Sequence, residues 1–389
     1  MDKDIEIKNY IGFKRKQLNK QKIVYIIFPI LFIYSFFCLY LLNKKTNKNL
    51  YANRLNNENI NNLKIDLFRK IHILEKTIKS KNTSIIYEPE NKIFDQIIKN
   101  KIIENQKYFC QSNELFSDPE IESNIKNIKV NFNNIEFNMF VYKKNDIVSK
   151  TISELGVWEE DSTNKLLSCL NYYSEKKKLP KNDVTIVDIG ANIGWYSFFL
   201  GKAGYDIISF EASFVNNYIL KKNFCLNKDV NITLINKGIG LEEKKCLLHH
   251  PADNVGNAII LCGDNADIIP RNYYISEEII FTKLKNYIPF LSQKNIALLK
   301  MDIEGSEGKA IESGIELISE YHIPFLFIEF NPDYLKMQGT DPKHFLETFE
   351  RNGYKISTID FFNNRYSSIE EIMKLSATNL YIIYQGFVE

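Results

Sequence analysis
Val187-Asp188-Ile189-Gly190-Ala191-Asn192-Ile193-Gly194-Trp195-Tyr196-Ser197 decides how this chain is read. An apolar strand, Thr185 to Ile189, runs straight through two glycines into a helix near Trp195 to Lys202. A strand that opens at once into a helix is the first unit of a β-α-β fold, whose ligands bind beyond the strand C-termini. The alternation continues outward with strand Asp206 to Phe210, helix Val215 to Cys225 and strand Asn231 to Asn236. It resumes with strand Ile296 to Met301, one helix near Glu307 to Ser319, strand Phe325 to Phe330 and helix Pro342 to Asn352. Such alternation predicts a doubly wound α/β fold around a mostly parallel sheet. The two closing strands, around Tyr354 to Ile359 and Asn379 to Tyr384, lie too close in sequence for an ordinary crossover helix, so an antiparallel end is expected.

The chemistry of the turn narrows the ligand. Gly190 and Gly194 let the backbone approach a bound molecule, with Asn192 between them. The loop lacks the G-x-G-x-x-G spacing, and Asp188 would repel a pyrophosphate, so a dinucleotide fits poorly. A ligand with an ammonium group and a sulfonium, such as S-adenosylmethionine, fits the acid better. At the end of the second strand Glu211 can accept from both ribose hydroxyls of a nucleoside. Asp302 and Glu304 stand at the C-terminal end of the fourth strand, where a transferable methyl would point, and Glu329 ends the strand after it. Methyl transfer asks the protein to align the acceptor and to remove its proton. Asp302 ranks first as base, then Glu304, then Glu329, and Asp302 also counts among the cofactor contacts. The bland alternative for these acids is capping of the next helix, a job that Ser306 or Glu307 could share. Asp302, Glu304 and Asn331 offer hard oxygens, but their spacing demands no metal and none is assigned.

DIGANIGWYS, ISFEAS, the stretch Asn223 to Asn227, LLKMDIEGSE and FLFIEFNPDY together resemble the FkbM family of S-adenosylmethionine-dependent O-methyltransferases, over about Asp146 to Gln385. Gly156-Val157-Trp158-Glu159 resembles the short aromatic-Glu element that precedes the core in that family. The resemblance implies a seven-stranded class I methyltransferase sheet, a cofactor loop from Asp188 to Gly194, and Glu211 on the ribose. One departure is Ser306, which stands where the family often has histidine. Asn331-Pro332-Asp333-Tyr334 is similar to the N-P-P-Y motif of base-amine methylation, but it lacks the second proline and follows the fifth strand rather than the fourth.

The 389 residues are 44% apolar and 25% charged, enough to bury a real core, and a formal charge of +2 gives no pull on nucleic acid. Residues 1–22 read as a cytoplasmic tail. Ile23 to Leu42 holds twenty residues without a charge, the length of a membrane-spanning helix. Six basic residues from Lys8 to Lys22 precede it and four from Lys44 to Arg54 follow, which favours a single-pass type II arrangement. The catalytic domain would then lie in the lumen of the Golgi or endoplasmic reticulum, and a glycan hydroxyl becomes the expected acceptor. Residues 43–90 read as a stalk, nine of the first twenty being asparagine, and Leu67, Ile71, Leu74 and Ile78 could pair two stems into a homodimer. Residues 91–180 read as an N-terminal extension, a lid or substrate-facing element, before a core of 181–389; in it Ile128 to Phe132 and Ile135 to Tyr142 form a hairpin around Asn133-Asn134.

Outside the span the cysteines are Cys110, Cys169, Cys225, Cys246 and Cys262, without the spacing of a zinc site, and they read as single buried thiols unless a lumen permits one bridge. Asn82 and Asn231 open glycosylation triplets, the second on a core strand. His249 and His250 read as surface residues of a loop after a strand. Three readings compete with glycan methylation: a lipid or small-molecule hydroxyl as acceptor, a non-catalytic cofactor-binding module that holds a partner, and an NAD-linked oxidoreductase.

Overall fold
The apolar runs that close on one another are buried on both faces, as a parallel sheet requires. In the computed structural model, which describes Cys110 and residues 118–251, 259–262, 273–363 and 366–388, they form one seven-stranded sheet. Its strands are β3 (Val184–Ile189), β4 (Asp206–Phe210), β5 (Asn231–Ile235), β10 (Asn295–Met301), β11 (Phe325–Phe330), β12 (Tyr354–Ser357) and β13 (Thr378–Tyr384), in the order β12-β13-β11-β10-β3-β4-β5. Five strands run parallel, from β11 to β5, and β13 lies antiparallel between β11 and β12. Alternate residues feed the two cores. Ile186, Ile207, Leu298 and Phe325 pack on one face, and Val187, Ile208, Leu299 and Leu326 on the other.

Helices cover both faces. Those that shape the site are α1 (Pro119–Asn124), α2 (Ile147–Leu155), α3 (Glu160–Lys177), α4 (Trp195–Lys202), α5 (Phe214–Leu226), α6 (Glu307–Ser313), α7 (Pro332–Met337) and α8 (Pro342–Arg351). The single helix expected over 307–319 is two. Its second part, Glu316–Ser319, starts after Gly314, where a Cβ would meet Leu284 at 2.8 Å. Asn331 caps α7, accepting from the backbone N–H groups of Asp333 and Tyr334, which accounts for the NPDY stretch structurally.

The expected hairpin is present as β1 (Ile125–Phe132) and β2 (Ile135–Tyr142), with Asn133 and Asn134 both at positive φ, as a tight two-residue turn needs. It packs into the same core as the sheet. Asn223 of α5, fully buried, donates to Phe140 O and accepts from Phe140 N–H, and Asn227 donates to Asn138 O. The Asn223 to Asn227 stretch therefore clamps the hairpin to the core.

A second sheet, which the sequence did not announce, lies between β5 and β10: β6 (Gly238–Ile239), β7 (Lys244–Pro251), β8 (Ile259–Cys262) and β9 (Tyr273–Thr282) in the order β6-β9-β7-β8. His249 belongs to β7 and is fully buried, so the surface loop expected there is corrected: the strand continues through it and pairs with both neighbours. The expectation of single thiols is corrected as well. Cys246 pairs with Cys262 across β7 and β8, Cys110 pairs with Cys225 of α5, and Cys169 remains a buried thiol. Among the described residues no helix is long and apolar enough to cross a membrane. The apolar run 23–42, the stalk, the stem pattern and Asn82 lie outside the described residues.

Candidate active site
Strand register brings the proposed residues into one row. Ile189 pairs with Phe210 and with Met301, and Met301 pairs with Ile328, so the next residues, Gly190, Glu211, Asp302 and Glu329, stand side by side at this end of the sheet. Glu329 in turn pairs with Asn379 of β13. The row lies at the C-terminal ends of the parallel strands, where the order reverses on either side of β3. There a cleft of about 230 Å³ is lined by these residues together with Trp158, Glu159 and Glu304. Another cavity of about 280 Å³ opens at the opposite edge of the sheet, beside Asn295, Pro324 and Tyr384, away from every acid of the row.

The turn after β3 is held on both sides. Gly190 and Ala191 donate to Phe210 O, and Asp302 N–H donates to Ile189 O at 3.1 Å. A Cβ on Gly190, which sits at φ +80, would lie 1.9 Å from the carbonyl oxygen of Asp302, so only glycine permits this approach. Asn192 also has positive φ; its N–H donates to Glu211 Oε2 at 2.8 Å, and Ser213 N–H donates to Glu211 Oε1 at 2.9 Å. Burial raises the Glu211 carboxyl, and those backbone donors pull it back. Each of its oxygens keeps a lone pair for a ribose hydroxyl. Asn192 Oδ1 is buried without a hydrogen-bond partner on this wall of the cleft, an acceptor that a nucleoside-type ligand could satisfy.

Asp188 behaves differently from the sequence reading. It is 1% exposed and absent from the cleft wall: Oδ2 accepts from Ser197 Oγ at 2.6 Å and Oδ1 faces Lys300 Nζ at 3.4 Å. Its charge is spent under the turn, so the direct hold on a ligand ammonium expected of it is not what the fold provides.

Asp302, Glu304 and Glu329 do meet. One oxygen from each lies within 4.8 Å of the others. Burial raises Glu304 to about 8, with Asp302 and Glu307 adding to the rise and Lys300 opposing it. Burial likewise lifts Glu329 to about 10, with Asp302, Glu304 and Glu307 contributing, and its Oε2 has no hydrogen-bond partner. Glu304 sits at φ +54, an uncommon backbone for a glutamate, held by the turn through Gly305. Glu307 takes the capping job instead, accepting from Ile303 N–H at 2.8 Å, and burial raises it to about 7. Ser306 makes no side-chain cap. The mutual spacing of the trio would suit a divalent cation, but Lys300 Nζ already brings a positive charge 3.9 Å from Asp302, and the trio is assigned no metal.

Two groups escaped sequence reasoning. Lys300, inside the apolar run of β10, reaches beneath the turn. Glu159, quoted only as part of a family-like element, accepts from Tyr196 Oη at 2.6 Å and from Asn379 Nδ2 at 3.3 Å, on the wall of the cleft.

A parallel sheet with an antiparallel strand between its last two members, a glycine turn after the first strand and an acid after the second defines a class I methyltransferase-type α/β domain. Residues 188–356 match the model of the methyltransferase FkbM domain. The chain is an S-adenosylmethionine-dependent methyltransferase. Among solved structures it is similar to a precorrin-6y C5,15-methyltransferase from Geobacter metallireducens, at 11% identity over 56% of this chain and 88% of that one, TM-score 0.27. It is also similar to the bifunctional kinase-methyltransferase WbdD, at 10% identity over 62% and 44%, TM-score 0.38. A third is the magnesium protoporphyrin IX methyltransferase of Synechocystis PCC 6803 with bound S-adenosylmethionine, at 12% identity over 62% and 85%, TM-score 0.30. No curated protein matches by sequence.

Proposed function
We propose that this chain methylates a hydroxyl oxygen, with a glycan as the acceptor, and that Glu304 is the base. The observation that carries the reading is the meeting of Asp302, Glu304 and Glu329 at one point of the cleft, with Glu304 tuned to about 8. A hydroxyl is a poor nucleophile until its proton has somewhere to go, and a base works best with a pKa near the working pH. Among the three, Glu329 at about 10 keeps its proton at neutral pH, and Asp302 is half exposed. The order given by the sequence, Asp302 first, therefore changes in favour of Glu304, with Asp302 facing the cofactor.

Bound in the cleft, S-adenosylmethionine supplies an electrophilic methyl group and a neutral thioether as leaving group. The chain's own residues do the rest. Glu211 and Asn192 would hold the nucleoside, and the glycine turn would allow the close approach. Asp302 would be the carboxylate that faces the sulfonium. Glu304 takes the acceptor proton as the oxygen-carbon bond forms, an effect worth about 10²- to 10⁴-fold. Glu159, Asn379 and the Trp158 ring present acceptors, donors and a flat apolar face to the acceptor, a combination suited to a polyol ring. The runner-up acceptor, a lipid or small-molecule hydroxyl, draws support from Ile147, Val148 and Ile260 on the same walls.

The two disulfides support a lumenal catalytic domain on a type II anchor, since such bridges persist in oxidising compartments. Pairing of two stems stays a proposal from the 4-3-4 pattern alone. The test of function is transfer of labelled methyl to methyl glycosides, glycolipids and simple alcohols. Label on a sugar oxygen that is lost in Glu304→Gln supports the reading. Label on an amine, or wild-type rates in Glu304→Gln, would reject it.

A further inference from the structure
Lys300 is the one buried lysine among the described residues, 4% exposed, and nothing in the transfer step uses it directly. Its place follows from register: on β10 it pairs with Asp188 of β3, so both side chains leave the same face of the sheet. From there Nζ donates to Gly190 O at 2.7 Å, faces Asp188 Oδ1 at 3.4 Å and Asp302 Oδ2 at 3.9 Å, and sits 5.8 Å over the Tyr196 ring. Burial pulls its ammonium down, but Asp188 and Asp302 outweigh burial and hold it above the ordinary lysine value. Glu159, Glu211, Glu304 and Glu329 all feel the same cation or act on it. A buried ammonium with this set of partners is costly to place and is held by geometry rather than by chance packing.

We infer that Lys300 is a positioning residue of the methyl-transfer site: it pins the carbonyl of the cofactor turn and neutralises Asp188, leaving Asp302 as the carboxylate that meets the sulfonium. This rests on the reading that S-adenosylmethionine occupies the cleft. The division of labour explains why two acids in adjacent strands, both plausible partners for a cation, end in different places. Asp188 is locked below the turn and Asp302 stands half exposed above it.

The charge that Lys300 brings has a readout that packing does not move. S-adenosylmethionine and S-adenosylhomocysteine differ by a methyl and the sulfonium charge, so the ratio of their affinities reports the charge around the sulfur. Lys300→Met should weaken both by loosening the turn and should raise the preference for S-adenosylmethionine about tenfold, because two carboxylates lose their counter-ion at short range. Lys300→Arg keeps the charge and should keep the wild-type ratio. Calorimetric titration of the full chain in detergent with each ligand measures both quantities, and circular dichroism checks the fold. A Lys300→Met protein with the wild-type ratio would overturn the inference. If that variant does not fold, Asp302→Asn decides: a ratio at least about threefold lower supports the assignment, and an unchanged ratio rejects it. Failure of wild-type protein to bind either ligand would instead remove the cofactor reading beneath it.

Discussion

At the scale of single residues the site is governed by how few of its carboxylates are free to ionise. Glu304 reaches about 8 through burial and its acidic neighbours, so it holds a proton in neutral solution and loses it as pH rises through that value. Turnover limited by this base should climb on the alkaline side of neutrality, and Glu304→Gln should flatten the climb and cost about 10²- to 10⁴-fold in rate. Initial rates of labelled-methyl transfer across that pH range check it. Asp302→Asn, by contrast, should weaken S-adenosylmethionine binding more than it changes the pH profile. Glu329 gives a stability prediction. Its ordinary value is 4.5 and its folded value about 10, so between those limits the folded chain holds a proton that the unfolded chain has released. Stability therefore falls as pH rises through that window. Glu329→Gln removes the titration and should raise the thermal midpoint, by more at pH 8 than at pH 5. An equal gain at both values would mean that Glu329 is ionised in the fold.

At the scale of elements, legibility tracked whether an element's pattern was local. Strands β3, β4, β10 and β11 are buried on both faces and appear as apolar runs flanked by turns, which a reader of the sequence can see. The hairpin was legible for the same reason: Asn133-Asn134 suits a turn that needs positive φ twice. The second sheet was not, because β7 and β9 carry charges among their apolar residues and gain their meaning only by pairing with each other and with β8. Lys300 could not be read either. In Ala297-Leu298-Leu299-Lys300-Met301 it looks like a solvent-facing interruption, and its partner Asp188 is adjacent only once β3 and β10 lie side by side. Asp188 failed in the converse way: its charge was visible, but not the lysine and serine that consume it. The clamp of α5 on the hairpin yields a prediction at this scale. Asn223→Ala leaves the Phe140 backbone groups without their partner and should destabilise the fold by about 1 to 3 kcal/mol, read from denaturant unfolding.

At the scale of the whole molecule, the cleft sits at the C-terminal ends of the parallel strands, and residues before the family-matched segment, Trp158 and Glu159, supply part of its wall. Two disulfides brace the parts, one at the end of α5 and one in the second sheet. If the domain matures in a lumen, the denatured and unreduced chain should expose two thiols, those of Cys38 and Cys169, rather than all six. Six reactive thiols in protein isolated without reductant from the cells that make it would place the domain on the reducing side and overturn the proposed lumenal topology. The central claim, a nucleoside-sulfonium cofactor seated on Glu211 at the end of β4, is tested most directly by calorimetric titration of the full chain with S-adenosylmethionine, alongside NAD and the Glu211→Ala variant. The account predicts saturable binding of S-adenosylmethionine, none of NAD, and a loss of about 1 to 3 kcal/mol in the variant, the scale of hydrogen bonds to a charged group. Folded wild-type protein that binds NAD instead, or a Glu211→Ala variant with unchanged affinity, would contradict it.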